Sequence, residues 1–147
     1  MIHIDGATYS VDIEWDKDGH PVYYLTGHGK IMTVKEVLEI IARAVQAVEE
    51  GSFQHVCAVY NVLDMTHLPH LARFIQGGNW PTSVRTAHII IATQDRTLQL
   101  VASLVAVMGT KRLRTMEVCR SQEEIAPAVK RWLALPDRTR EYTIQDI

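Results

Sequence analysis

The sequence predicts an α/β fold: a mostly parallel sheet with an antiparallel N-terminal hairpin and four helices. Three observations carry this. Strand-like and helix-like runs alternate along the 147 residues. The first two strand-like runs are joined by a short turn rather than a helix. Two of the helical runs open on capping-box spacing.

Residues 7–15 alternate, with Tyr9, Val11, Ile13 and Trp15 on one face, the period of a half-exposed strand. Asp16-Lys17-Asp18-Gly19 reads as the hairpin turn, and residues 21–26 return as a second strand. Gly27-His28-Gly29 is expected to break it. Thr33 and Glu36 form a capping box for a first helix whose apolar stripe is Val34, Val37, Leu38, Ile41, Ala44, Val45 and Val48, with Gly51 as its stop.

Residues 55–62 are a short apolar run, read as a buried strand, followed by a loop at Asp64-Met65-Thr66. Leu68, Leu71, Ala72 and Ile75 suggest a second helix ended by Gly77-Gly78. Residues 85–93, with Ile89, Ile90 and Ile91, form the clearest buried strand. Asp95 then caps a third helix carrying Leu98, Val101, Val105 and Met108. Leu113 to Cys119 is a further strand, and Ser121 and Glu124 are a second capping box for a helix through Trp132 and Leu133. The expected order is β-β-α-β-α-β-α-β-α in one domain over 1–147. Its core spans about residues 7–134, ahead of a polar tail at 135–147.

Composition fits a globular chain: 47% hydrophobic and 22% charged. Fifteen basic residues against 17 acidic give −2, which supplies no bulk electrostatic reason for nucleic-acid binding. No apolar run reaches the roughly 18 residues of a membrane-spanning helix, so no membrane insertion is expected. The first residues lack a positive segment followed by an apolar one, and a cytoplasmic location is expected. Cys57 and Cys119 sit in apolar strand-like runs and are read as buried, reduced thiols.

In order, several features resemble the STAS or SpoIIAA-like family over residues 20–134. Val22-Tyr23-Tyr24-Leu25 leads to Gly27, and Met32-Thr33 opens the long helix. Ala58-Val59-Tyr60-Asn61-Val62 leads into Asp64-Met65-Thr66, and His88-Ile89-Ile90-Ile91-Ala92 follows. Met116-Glu117-Val118 precedes Ser121, Glu123, Glu124 and a helix ending Trp132-Leu133. The resemblance implies the fold of bacterial anti-sigma-factor antagonists, shared with CRAL-TRIO-type lipid-binding domains, and a regulatory role through another protein. Phosphorylated members open the second helix on a serine, a small hydroxyl residue and a glycine. This chain departs from that pattern, with Asp64, Met65, Thr66 and His67 at the junction.

Asp64, Thr66 and His67 are therefore the candidate binding or switch loop, at the carboxyl end of a central strand. Thr66 is either a phosphoacceptor at a helix start or a plain helix cap. His67 and His70 lie three apart, but Pro69 between them and the absence of nearby partners in sequence argue for surface positions over a metal site. His88 is read as a satisfied core histidine, and Gly27-His28-Gly29 is too short for a phosphate-binding loop. Trp80, in Gly77-Gly78-Asn79-Trp80-Pro81, and the basic pair Lys111 and Arg112, with Arg114 and Arg85 near, form a candidate interaction surface. No catalytic signature, metal site or cofactor is expected.

The leading expectation is a non-catalytic regulatory module binding another protein. The alternative is a carrier of a small hydrophobic ligand or lipid, with Met65, Leu68, Leu71, Phe74 and Ile75 as pocket lining. A homodimer through a hairpin edge bearing Tyr9, Val11 and Ile13 is a further expectation.

Overall fold

The computed structural model describes residues 1–31, 33–66, 84–96, 99–100 and 113–135. Six strands form one mixed sheet in the order β1-β2-β3-β4-β5-β6. They are β1 (Ile2–Asp5), β2 (Tyr9–Trp15), β3 (Val22–Lys30), β4 (His55–Thr66), β5 (Thr86–Ala92) and β6 (Leu113–Cys119). β1, β2 and β3 pair antiparallel; β3 to β6 pair parallel. The predicted hairpin and the parallel half are both present.

Two α-helices lie among the described residues, α1 (Val34–Gly51) and α2 (Ile125–Leu133), the latter preceded by a 3-10 turn over Gln122–Glu124. The second expected helix lies outside the described residues. Of the third, Arg96, Gln99 and Leu100 are helical, and the Gln99 N–H donates to the Asp95 carbonyl at 3.0 Å.

Each face of the sheet packs against its own helix. On one face Val37, Ile40, Ala44, Ala47 and Val48 of α1 pack onto Tyr9, Val11, Ile13, Tyr23, Leu25, Val56, Ala58, Ile89 and Ile91. On the other, Ile125, Ala128, Val129 and Trp132 of α2 cover Val22, Cys57, Val59, Ile90, Ala92 and Cys119. Strands that face two helices read as continuous apolar runs, which is why β5 was the plainest strand in the sequence.

The Thr33 capping box is formed: Glu36 N–H donates to Thr33 Oγ1, and Thr33 N–H donates to the Glu36 carboxylate at 2.9 Å. The buried stripe of α1 is rotated from the expected one. Ile40 and Ala47 lie in the core while Leu38 is 49% exposed.

Four expectations need correction. Gly51 is the last residue of α1, and the left-handed cap is Ser52, with φ of 57°. Gly51 is needed because a Cβ there would meet Trp15 Cζ2 at 2.3 Å. Gly27-His28-Gly29 does not end β3, which runs on to Lys30. Gly29 takes a φ of +91°, and a Cβ there would lie 2.4 Å from the Thr8 carbonyl oxygen. Asp64-Met65-Thr66 is not a loop: the three residues extend β4, opposite His28, Gly29 and Lys30. Finally, β2 is not the sheet edge. The short β1 covers it, pairing Ile2 with Ile13 and Ile4 with Val11.

The second capping box is only half made. The Glu124 carboxylate accepts from the Arg120 N–H at 2.7 Å, but Ser121 makes no side-chain cap. Both cysteines are buried and neither is in a disulfide. Burial pushes the Cys119 thiol up to about 11, with the carboxylates of Glu117 and Glu124 adding to it.

Candidate functional site

A bulge in β4 sets the geometry of the carboxyl end of the sheet. Between Thr26 and His28 the β3–β4 register shifts: Thr26 opposes Asn61, and His28 opposes Asp64. β4 thus carries one residue more than β3 over this stretch. Val62 stays in the α1-side core and Leu63 packs against the α2-side cluster. Asp64 then emerges on the same face as His28, and Met65 returns to the α1-side core.

Asp64 Oδ2 and His28 Nδ1 lie 3.3 Å apart, with the two side chains 73% and 50% exposed. The pair stands at the carboxyl end of the parallel strands, where open α/β sheets offer ligand sites. Among the described residues no helix covers it.

The face around the pair follows from strand alternation. Tyr9, Val11 and Ile13 point into the core, so Ser10, Asp12 and Glu14 point the other way. Ile2 and Ile4 pack on the same core, leaving His3 and Asp5 opposite. Cross-strand pairing aligns these residues in rows. One row runs Asp5, Ser10, His28, Asp64; the next runs His3, Asp12, Thr26, Asn61. His3 is held between two carboxylates, Nδ1 2.5 Å from Asp12 and Nε2 2.9 Å from Asp5. The hydrogen bond to Asp12, then that to Asp5, holds its imidazole above the usual 6.5.

The α2 half of this face is closed by polar contacts as well as apolar ones. Glu117 of β6 binds Arg131 of α2 and lies 3.5 Å from His88 Nε2 of β5. His88, then Arg131, holds the Glu117 carboxyl below its ordinary value against the opposing effect of burial. Asn61 Nδ2 donates to Gln122 Oε1 at 2.8 Å, tying β4 to the 3-10 turn. His88 is thus a partnered, largely buried histidine, as the sequence suggested. His55 Nδ1 lies 2.6 Å from the hydroxyl of buried Thr86.

Of the candidate loop, Asp64 is placed as described, and Thr66 is the last residue of β4, opposite Lys30. His67, His70, Trp80, Lys111 and Arg112 lie outside the described residues. Arg85 is exposed, and Arg114 belongs to β6 opposite Ala87. Of the expected pocket lining only Met65 is described. With Val11, Leu25, Ile31, Ile40, Tyr60 and Val62 it lines an apolar cavity of about 10 Å³, the space of a single water.

Sequence reading missed His28 as the partner of Asp64, and missed His3, Asp5 and Asp12 altogether. It also passed over Asp16, Asp18 and His20 in the β2–β3 turn, whose ligand atoms lie within 4.8 Å of one another. The alternation in β2 could have placed Asp12 and Glu14 on the outer face. The His28–Asp64 pairing is non-local and had no such signal.

No described helix is long and apolar enough to cross a membrane. Comparison with family models, with curated proteins and with solved structures finds no match to the chain.

Proposed function

We propose that this chain is a non-catalytic regulatory module of the STAS or SpoIIAA-like kind, binding another protein through the surface centred on His28 and Asp64. One observation carries the reading. An exposed imidazole–carboxylate pair stands at the carboxyl end of the parallel strands, on a sheet face that no described helix covers. The order from β3 through α1 and β4 to α2 accords with the family resemblance. The surface is built rigidly for such a role: β3 and β4 are central strands, and the bulge fixes where Asp64 emerges.

A photo-crosslinking amino acid at Thr26, between Asp12 and Asn61 in the same face, tests this. It is expected to capture one protein from extracts of the source cells, and Asp64→Arg is expected to abolish that capture. Equal capture from position Leu38, on the exposed side of α1, would count against the assigned surface.

A further inference from the structure

Among the described residues, the half of this sheet face that α2 leaves uncovered carries more negative than positive groups. Its outward positions on β1 and β2 carry Asp5, Asp12 and Glu14, and β4 adds Asp64. β1, β2 and β4 contain no lysine or arginine at all, and in β3 the only one is Lys30 at its end. The other groups at outward positions are the imidazoles of His3 and His28, the hydroxyls of Ser10 and Thr26, Tyr24, the Asn61 amide and, two residues beyond His28, Lys30. The face is therefore hydrogen-bonding, with four carboxylates on three of its four strands against one lysine, in a chain whose overall charge is only −2.

Its spacing is regular. Neighbouring strands lie about 4.8 Å apart, so the row from Asp5 to Asp64 spans roughly 14 Å. The two rows are two residues apart along each strand, roughly 6.6 Å. An extended polypeptide laid on the face presents every second side chain at that same interval. The anionic sign disfavours nucleic acid and anionic lipid, and polar rows disfavour an apolar helix. Only part of the face is shielded: Asp5 and Asp64 are each 73% exposed and Asp12 is 38% exposed.

We propose that this face docks an extended, lysine- or arginine-rich segment of a second protein, set against the rows Asp5–Ser10–His28–Asp64 and His3–Asp12–Thr26–Asn61. The inference rests on the module reading above and names the chemistry of its partner. Carboxylates at Asp5, Asp12, Glu14 and Asp64 receive the cationic side chains. Ser10 and Thr26 offer hydroxyls to the backbone between them.

The probe is a short, capped peptide alternating lysine and threonine, titrated into isotope-labelled protein and followed by amide chemical shifts. A glutamate–threonine peptide serves as control. The lysine peptide is expected to shift amides of β1, β2, the end of β3 and the end of β4, and the control to shift none. The double variant Asp12→Asn, Asp64→Asn is expected to weaken binding about fivefold. Raising salt from about 0.1 M to about 1 M, which shortens the screening length from about 10 to about 3 Å, is expected to remove it. Shifts confined to Glu39, Glu49 and Glu50 on α1, or an undiminished affinity in the double variant, would overturn the proposal. The Thr26 crosslink separates it from the broader reading. A captured partner that touches the face with an acidic or apolar segment overturns the charge assignment and leaves the module standing. A bound lysine peptide with no captured partner overturns the module and leaves the basic-segment preference.

Discussion

Gly51 and Trp15 show how a single missing carbon can fix a helix end. The Trp15 ring lies against the last turn of α1, with its Nε1–H donating to the Ala47 carbonyl at 3.2 Å and Phe53 packed 5.1 Å away. At an exposed helix position alanine would be favoured over glycine by about 1 kcal/mol. Here the added methyl would stand 2.3 Å from the ring. Gly51→Ala is therefore expected to destabilise by about 1–3 kcal/mol, read as a melting temperature several degrees lower. A stabilised variant would show that the ring yields freely. In a Trp15→Phe background the penalty is expected to shrink. The sequence marked Gly51 as a helix stop, the right position for a different reason. The contact that requires glycine comes from a strand far away in the chain, so no local pattern reports it.

At the scale of elements, short-range patterns carry the features that the sequence predicts. The β2–β3 hairpin, the Thr33 cap and β5 follow from alternation, capping chemistry and a run of β-branched residues, all of short range. β1 was invisible because four residues are too few to establish a period, and its strand character depends on Ile2 and Ile4 finding β2. The end of β4 reads as a loop in the sequence because its bulge breaks the alternation, and the bulge is defined only against β3. The attachment of α2 was likewise hidden, since Glu117, His88 and Arg131 meet only through the sheet. That attachment has a pH signature. Glu117 titrates below its ordinary 4.5 in the folded chain. Its contribution is thus present above about pH 4.5 and lost as the pH falls through the lower, folded-state value. Glu117→Gln is expected to cost about 0.5–1 kcal/mol near neutral pH, the scale of a partly exposed pair, and to flatten the stability profile on the acid side. Denaturant melts of both proteins between pH 3 and pH 7 measure this; parallel profiles would exclude the ion pair as a source.

The whole molecule is a sheet whose two faces are treated unequally. Among the described residues, one face is closed by α1, while the other is closed over its parallel half by α2 and left uncovered over its antiparallel half. The fold class was legible because strand and helix periods survive in a single sequence. The open face was not, because it exists only when four strands stand in register. Its charge responds to pH through His3, which faces Asp5 on its own strand and Asp12 on the next. Those carboxylates raise the imidazole above 6.5, so it stays protonated to higher pH than a free histidine. As pH rises through that higher value the face loses a positive charge. The lysine–threonine peptide is then expected to bind more tightly at pH 8 than at pH 6, and a His3→Gln variant to lose most of this dependence. Equal slopes for the two proteins would remove His3 from the account.

The extra residue in β4 also makes the length of that strand a matter of parity. Leu63 and Asp64 fall on the same side of the strand, and this bulge is what lets Asp64 and Met65 keep step with His28 and Gly29. Removing Leu63 would take out the extra residue and leave strict alternation, with Val62 and Met65 still on the apolar floor held by Val11, Leu25 and Ile40 and Asp64 still beside His28. Substitutions along this stretch can be graded and absorbed one at a time. A one-codon deletion between Val56 and Tyr60, where no bulge absorbs it, exchanges inside for outside in one step, so chains sharing this surface are expected to vary in length at the bulge and only in letters before it.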